Sequence, residues 1–196
     1  MQGGDDDAFL GAVLSDFPPV AGAFAYGSAI FQQRGYVESG APKPADAPEQ
    51  LLRATMTDLV FVVDDAEQWH GANLERHAAH YSGIGRWLGA RGMLPRAQAV
   101  GAGIYYNQCE LHGRSVKYGV ISTEALSDDL LHWSSLYVSG RMHKPTRAIV
   151  PWPAGLEAHL ESNRRAALDA SLLLLPARCG RRAGVADVRR SAKIRG

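Results

Sequence analysis

Cysteine is scarce: Cys109 and Cys179 are the only two in 196 residues. They are far apart and in different surroundings, which excludes a disulfide framework and points to a reducing compartment. Long apolar runs are lacking too. The best candidate, SLLLLP at 171–176, falls far short of the roughly 20 residues that cross a bilayer, so no transmembrane segment is expected. Nor does the chain open with the Arg-rich, acid-poor pattern of a mitochondrial presequence; MQGGDDDAF is acidic, and no import signal is visible in it. Positive charge is sparse except at the end. Residues 1–160 carry 12 Lys and Arg against 17 Asp and Glu, whereas residues 161–196 carry nine against three. That basic tail, mixed with Gly and Ala and without a periodic apolar face, reads as a disordered end rather than a nucleic-acid-binding arm.

What is present is globular. A hydrophobic content of 46% and a charged content of 21% are ordinary for a folded domain, and the length suits one core with an extension. The organising stretch is AFAYGSAIFQQRGY at 23–36, read with DLVFVV at 58–63. Small and aromatic residues ending at Tyr26 suit a buried strand. Gly27 permits a sharp turn without a Cβ, and Ser28 offers a hydroxyl and an amide at the start of a helix-compatible AIFQQR. This corner suits an anionic group such as a triphosphate; it is equally what an ordinary turn with an N-cap serine looks like. The second stretch reads as a central strand, apolar on both faces, with Asp58 at its mouth. A phosphate pocket plus a carboxylate is the minimum equipment for metal-assisted nucleotidyl transfer.

Elsewhere, FLGAVLSDF at 9–17 predicts a helix that stops before Pro18 and Pro19. A Pro-rich surface loop separates the two strands. Residues 66–80 predict a helix carrying His70, His77 and His80, which lack a cysteine or carboxylate to complete a zinc site. Residues 101–110 and 114–121 predict a hairpin turning at Leu111, His112 and Gly113, with Lys117, Gly119 and Ile121 on one face and Val116, Tyr118 and Val120 on the other. Residues 122–140 predict one helix, begun by Thr123 or Ser127 because the capping box from Ser122 to Ala125 fails. Arg141, His143 and Lys144 follow it; they suit either an acidic substrate or a helix C-terminus. A last helix is expected over 156–175.

Together YGSAIFQQRGY, DLVFVVDD, WHGANLERHAAHYS, GAGIYYNQ, VKYGVIS and DLLHWSSLYVSGRMHKP resemble one family, the mitochondrial translocator assembly and maintenance proteins, over residues 17–176. The resemblance implies an α+β fold, a nucleotidyltransferase-like mixed sheet flanked by helices. Its expected organisation is a capping helix region at 1–16, a catalytic domain at 17–150, the start of a second helical domain at 151–176 and a basic tail at 177–196. It further implies a phosphatidate cytidylyltransferase, peripheral on the matrix side of the mitochondrial inner membrane and feeding phosphatidylglycerol and cardiolipin synthesis. The implied partners are CTP, phosphatidic acid and the anionic inner-membrane surface, without nucleic acid, and the implied cofactor is Mg²⁺. Carried over by position, Tyr26, Gly27 and Ser28 bind nucleotide, Asp58 binds metal, and Asp58 and Lys117 are catalytic. Arg141, His143, Lys144, His80, Tyr81 and Asn107 face substrate, with His70 and Asn73 in support.

Two departures from the resemblance stand out. Nucleotidyltransferases usually place two carboxylates one residue apart on this strand, and here Leu59 and Val60 follow Asp58. The family continues beyond the position of Leu175 into a second domain, where this chain has its Arg-rich tail; that leads to the expectation of a truncated product, with an inactive binding or assembly module as the alternative.

Overall fold

The computed structural model describes residues 3–27, 56–89 and 92–175. The helix expected after Gly27, the Pro-rich loop and the basic tail lie outside the described residues. Strands β1 (Gly22–Tyr26) and β2 (Thr57–Val63) are interior, as their apolar runs require: all of β1 and all of β2 except Asp58 is buried. They pair antiparallel, with Tyr26 opposite Asp58. After β2 the chain passes through α2 (Ala66–His77), a 3-10 turn (Ala78–His80), α3 (Gly83–Gly89) and α4 (Leu94–Ala99). It then enters the hairpin of β3 (Ile104–Leu111) and β4 (Arg114–Ser122).

The hairpin turn is shorter than the sequence suggested. Leu111 pairs with Arg114, leaving only His112 and Gly113 between the strands. Both have positive φ, 49° and 74°, the backbone whose twist matches that of the flanking strands. β4 lies parallel to β2, and the helical segment provides the crossover that parallel pairing requires. A fifth strand, β5 (Thr146–Val150), pairs with the outer side of β1. It had no counterpart in the sequence reading; TRAIV is short and bounded by Pro145 and Pro151, a pattern compatible only with an edge. The sheet order is β3-β4-β2-β1-β5, and the fold is α+β as expected.

One face of the sheet is covered by α1 (Gly3–Asp16) and α2. Phe9, Leu10 and Val13 recur at helical spacing and pack with Phe17, Phe61, Trp69 and Tyr118. The other face is covered by α5 (Thr123–His132), α6 (Val138–Arg141) and α7 (Leu156–Leu174). There Leu126, Leu130, Val138 and Leu160 pack on Phe24, Val60, Val62 and Ile121.

The single helix expected over 122–140 is broken in two. α5 ends at Trp133, whose φ is 52°. Buried Asp129 explains the break: its carboxylate accepts from the amides of Ser135, Leu136, Val138 and Ser139 at 2.8–3.0 Å and from Ser135 Oγ at 2.8 Å. These amides would otherwise continue a helix. At the other end Ser122 is itself the cap, its Oγ accepting from Ala125 N at 3.2 Å. A capping serine suffices without the reciprocal residue of a full box.

Candidate active site

Consecutive register partners form one row across all five strands: Gln108, Lys117, Asp58, Tyr26 and Thr146. Partners in register share a face, here the one covered by α5, α6 and α7, and adjacent strands stand about 4.8 Å apart. Asp58 is therefore flanked by a cation on β4 and a phenol on β1. Immediately after Tyr26 the chain turns at Gly27, with φ 88°. A Cβ there would lie 3.1 Å from Asp58 Oδ2, so the exposed backbone of the turn and the carboxylate border the same opening. Ser28 lies outside the described residues.

Arg141, at the end of α6, reaches the same place. Its guanidinium carbon lies 4.4 Å from the Tyr26 ring centroid and 5.3 Å from that of Tyr137. Lys117 Nζ lies 4.7 Å over the Tyr106 ring. That ring fits because Gly119 is opposite it on β4; a Cβ on Gly119 would come within 2.6 Å of Tyr106. The Tyr26 and Tyr106 hydroxyls and Arg141 Nε are buried without a hydrogen-bond partner among the described residues. Tyr26 faces both Asp58 and Tyr106, and Arg141 faces Tyr137, without a well-formed hydrogen bond at these atoms, so they keep polar capacity that a ligand could meet.

Electrostatics point the same way. Burial pushes the Asp58 carboxyl above its ordinary range, and Lys117 and Arg141 only partly offset this. Burial likewise raises the Tyr26 and Tyr106 phenols, which stay protonated and available as donors. Neither sequence pattern nor resemblance singled out Tyr106 or Tyr137 for the site; helical spacing put Tyr137 on a buried stripe with Leu126, Leu130 and Trp133, but it is 39% exposed because the helix breaks before it. The hairpin register could have found Tyr106, because a two-residue turn puts it opposite Gly119.

His143 and Lys144 are brought to a neighbouring place. His143 Nε2 lies 3.1 Å from Asn163 Oδ1, and Asn163 also accepts from Trp133 Nε1 at 2.7 Å and donates to Ser139 O at 3.0 Å. With its Oδ1 thus fixed as an acceptor, His143 carries its proton on Nε2. His143 and Lys144 line an open groove of about 480 Å³ whose wall continues to Thr146, the β5 end of the Tyr26 row.

His80, Tyr81 and Asn107, the other substrate-facing residues implied by the resemblance, are not brought to this site. They belong to a buried polar network on the opposite face. Tyr118 OH accepts from Asn73 Nδ2 at 3.1 Å and Asn107 Nδ2 at 3.2 Å, so its proton points to His80 Nδ1 at 3.1 Å. Tyr81 OH lies 2.9 Å from both Asn73 Nδ2 and His70 Nδ1, and His70 Nε2 lies 3.3 Å from Gln98 Oε1. Gln98 Nε2 donates to Gly103 O and Val120 O at 2.6 and 2.8 Å, which fixes its Oε1 toward the imidazole. His70 is therefore neutral, and burial lowers it to about 4. The alternation of β3 and β4 places this network behind the sheet from Asp58.

Among the described residues no group of three or more His, Cys, Asp or Glu could hold a metal by itself. Asp64 accepts from Thr123 Oγ1 and Asp65 caps α2 through Gln68 N, so both have structural partners far along β2 from Asp58. One hard carboxylate beside an open backbone turn still fits Mg²⁺, which is held by one or two carboxylates and otherwise by water and substrate phosphates.

Fold and site together define an α+β protein with a cation-flanked carboxylate at the mouth of its central strand. Residues 10–183 match the family described as "Phosphatidate cytidylyltransferase, mitochondrial", and the chain belongs to that family. Proteins carrying that name are similar to it in Xenopus laevis (40% identity, covering 84% of this chain and 46% of the relative) and Danio rerio (42%, 86% and 47%). The Drosophila melanogaster protein of the same name is 43% identical, covering 78% of this chain and 45% of its own length. The chain thus spans a little under half the length of these relatives.

Proposed function

We propose that the chain carries the nucleotidyl-transfer centre of a phosphatidate cytidylyltransferase, which joins CTP and phosphatidic acid into CDP-diacylglycerol and pyrophosphate. The observation that carries this reading is Asp58 standing between Lys117 and Tyr26, beside the open backbone of Gly27. Asp58 would hold Mg²⁺ together with the triphosphate. When bound, the ion neutralises phosphate charge and favours departure of pyrophosphate.

The remaining work falls to the protein's own groups. A phosphatidate oxygen attacks the α-phosphorus of CTP; an oxygen–phosphorus bond forms there, and the bond to the bridging α–β oxygen breaks. The attacking oxygen is already anionic near neutral pH, so a strong general base is unnecessary. The obstacle is bringing two anions together in line. Lys117 and Arg141 supply positive charge on either side of Asp58, and the protonated phenols of Tyr26 and Tyr106 supply donors where charge accumulates. Action on the matrix face of the mitochondrial inner membrane, as a step toward cardiolipin, is part of the same reading; the word "mitochondrial" in the relatives' names supports the organelle alone.

A turnover assay with labelled CTP, Mg²⁺ and vesicles containing phosphatidate tests it. CDP-diacylglycerol is expected from the wild-type chain, and Asp58→Ala should reduce kcat by about 100-fold or more. Nucleotide binding without any turnover would instead favour a non-catalytic binding module.

A further inference from the structure

The groove beside the site has chemistry of its own. Its rim carries Lys144, His143 and Arg164, its floor is apolar with Met142, Pro145 and Ala167, and no acidic side chain lines it. Lys144 and Arg164 are both exposed. The groove reaches Thr146, the register partner of Tyr26, so an anion held there lies alongside the Asp58 row rather than within it. Arg141 has a different assignment, because its guanidinium rests on the Tyr26 ring.

α7 extends the groove in one direction. At about 100° per residue, Arg164, Leu168, Ser171, Leu172 and Leu175 fall along one stripe. Leu168, Leu172 and Leu175 are 59%, 61% and 53% exposed, and Leu173 and Leu174 beside them 87% and 84%, so this end of α7 presents an apolar surface that includes the stripe. The eleven steps from Arg164 to Leu175 rise about 16 Å, close to half of a bilayer's hydrocarbon thickness of about 30 Å. A cationic pocket that opens onto an apolar track of this length matches an amphiphile with a phosphate head and hydrocarbon tails. A soluble phosphate would use only the pocket.

We propose that the groove formed by His143, Lys144 and Arg164 binds the phosphomonoester head of the lipid acceptor, with its acyl chains lying along the Leu168–Leu172 stripe of α7. The proposal rests on the cytidylyltransferase reading and divides the site. Nucleotide lies against Asp58, Lys117, Tyr26 and Arg141, whereas the lipid approaches from the α7 side. Arg164 thereby becomes a substrate-binding residue contributed by a different element from the other cations.

Vesicle flotation with the full chain tests this without requiring turnover. The probes are phosphatidylcholine vesicles containing either phosphatidate or phosphatidylglycerol at matched surface charge. CTP binding with Mg²⁺ is measured separately by calorimetry. The wild-type chain should be retained several-fold more on phosphatidate vesicles. Arg164→Glu and Lys144→Glu should each lower that retention about ten-fold, and Leu168→Asp with Leu172→Asp should do the same, while CTP affinity stays within two-fold. Arg164→Gln and Leu172→Ser, with unchanged melting temperatures, serve if the charged variants fold poorly. Equal retention on the two vesicle types would overturn the proposal, and so would variants that bind phosphatidate like the wild type. Loss of selectivity only in the leucine variants would assign the cations no role and overturn it as well. Failure of the wild-type chain to bind CTP would count against the cytidylyltransferase reading, a result separate from the vesicle outcomes.

Discussion

Burial raises the Asp58 carboxyl while Lys117 and Arg141 draw it down, and burial is the larger effect. A carboxyl raised in the folded state binds more protons there than in the unfolded chain, so stability falls as pH rises through the interval between the two values and stays lower above it. Asp58→Asn should therefore raise the melting temperature of the ligand-free protein at pH 7, with the gain disappearing below the ordinary carboxylate range; thermal melts over a pH series would show it. An unchanged melting temperature at neutral pH would mean that Asp58 is not strained. Gly27→Ala acts differently. Its φ of 88° disfavours any side chain, and the new methyl would meet Asp58 Oδ2 at 3.1 Å. A loss of about 1–2 kcal/mol in urea unfolding is expected, together with weaker CTP binding. At this scale the sequence was informative where strand alternation decides the answer: it correctly put Lys117 opposite in sense to Tyr118. It said less about His80, Tyr81 and Asn107, because proximity in a shared motif does not specify which side of a sheet a residue occupies.

Between residue and fold lies the segment from α5 to α6, organised by Asp129. Burial alone would raise this carboxyl, but the amides of Ser139 and Ser135 outweigh it and hold it below the usual range. Asp129→Ala would leave those donors unmet and should cost about 3 kcal/mol or more by denaturant unfolding. Because α6 begins where these bonds end and carries Arg141, turnover should fall further than the stability loss explains. Asp129→Asn, which keeps one acceptor oxygen, should fall between the two. The sequence here suggested an unbroken helix, since residues 126–140 keep a helical apolar spacing. What breaks it is a side chain accepting from amides six to ten residues ahead, a competition that periodicity does not register. β5 escaped notice for a related reason: five residues between prolines form a strand only because β1 offers them an open edge.

For the molecule as a whole, the polar network behind the sheet should govern acid stability. His70 is lowered to about 4 from an ordinary 6.5, so the unfolded chain takes up a proton that the folded chain refuses. Stability should rise with pH between those values, by up to about 3 kcal/mol, and level off above them. His70→Gln should flatten that part of the profile in urea titrations run from pH 4 to 7, even if the variant is less stable overall. The general architecture was legible from sequence because the two interior strands are continuous apolar runs and the hairpin alternates strictly. The separation into a reactive face and a buttressing face was not, since it depends on pairing between β2 and β4, with fifty residues between Val63 and Arg114.

That long crossover bears on how the protein comes into being. Asp58 acquires its lysine neighbour only after α2, α3, α4 and the hairpin have been synthesised and the parallel pair has closed, and Arg141 arrives later still. A nascent chain released early would thus lack both cations beside Asp58, whatever its first two strands had already formed.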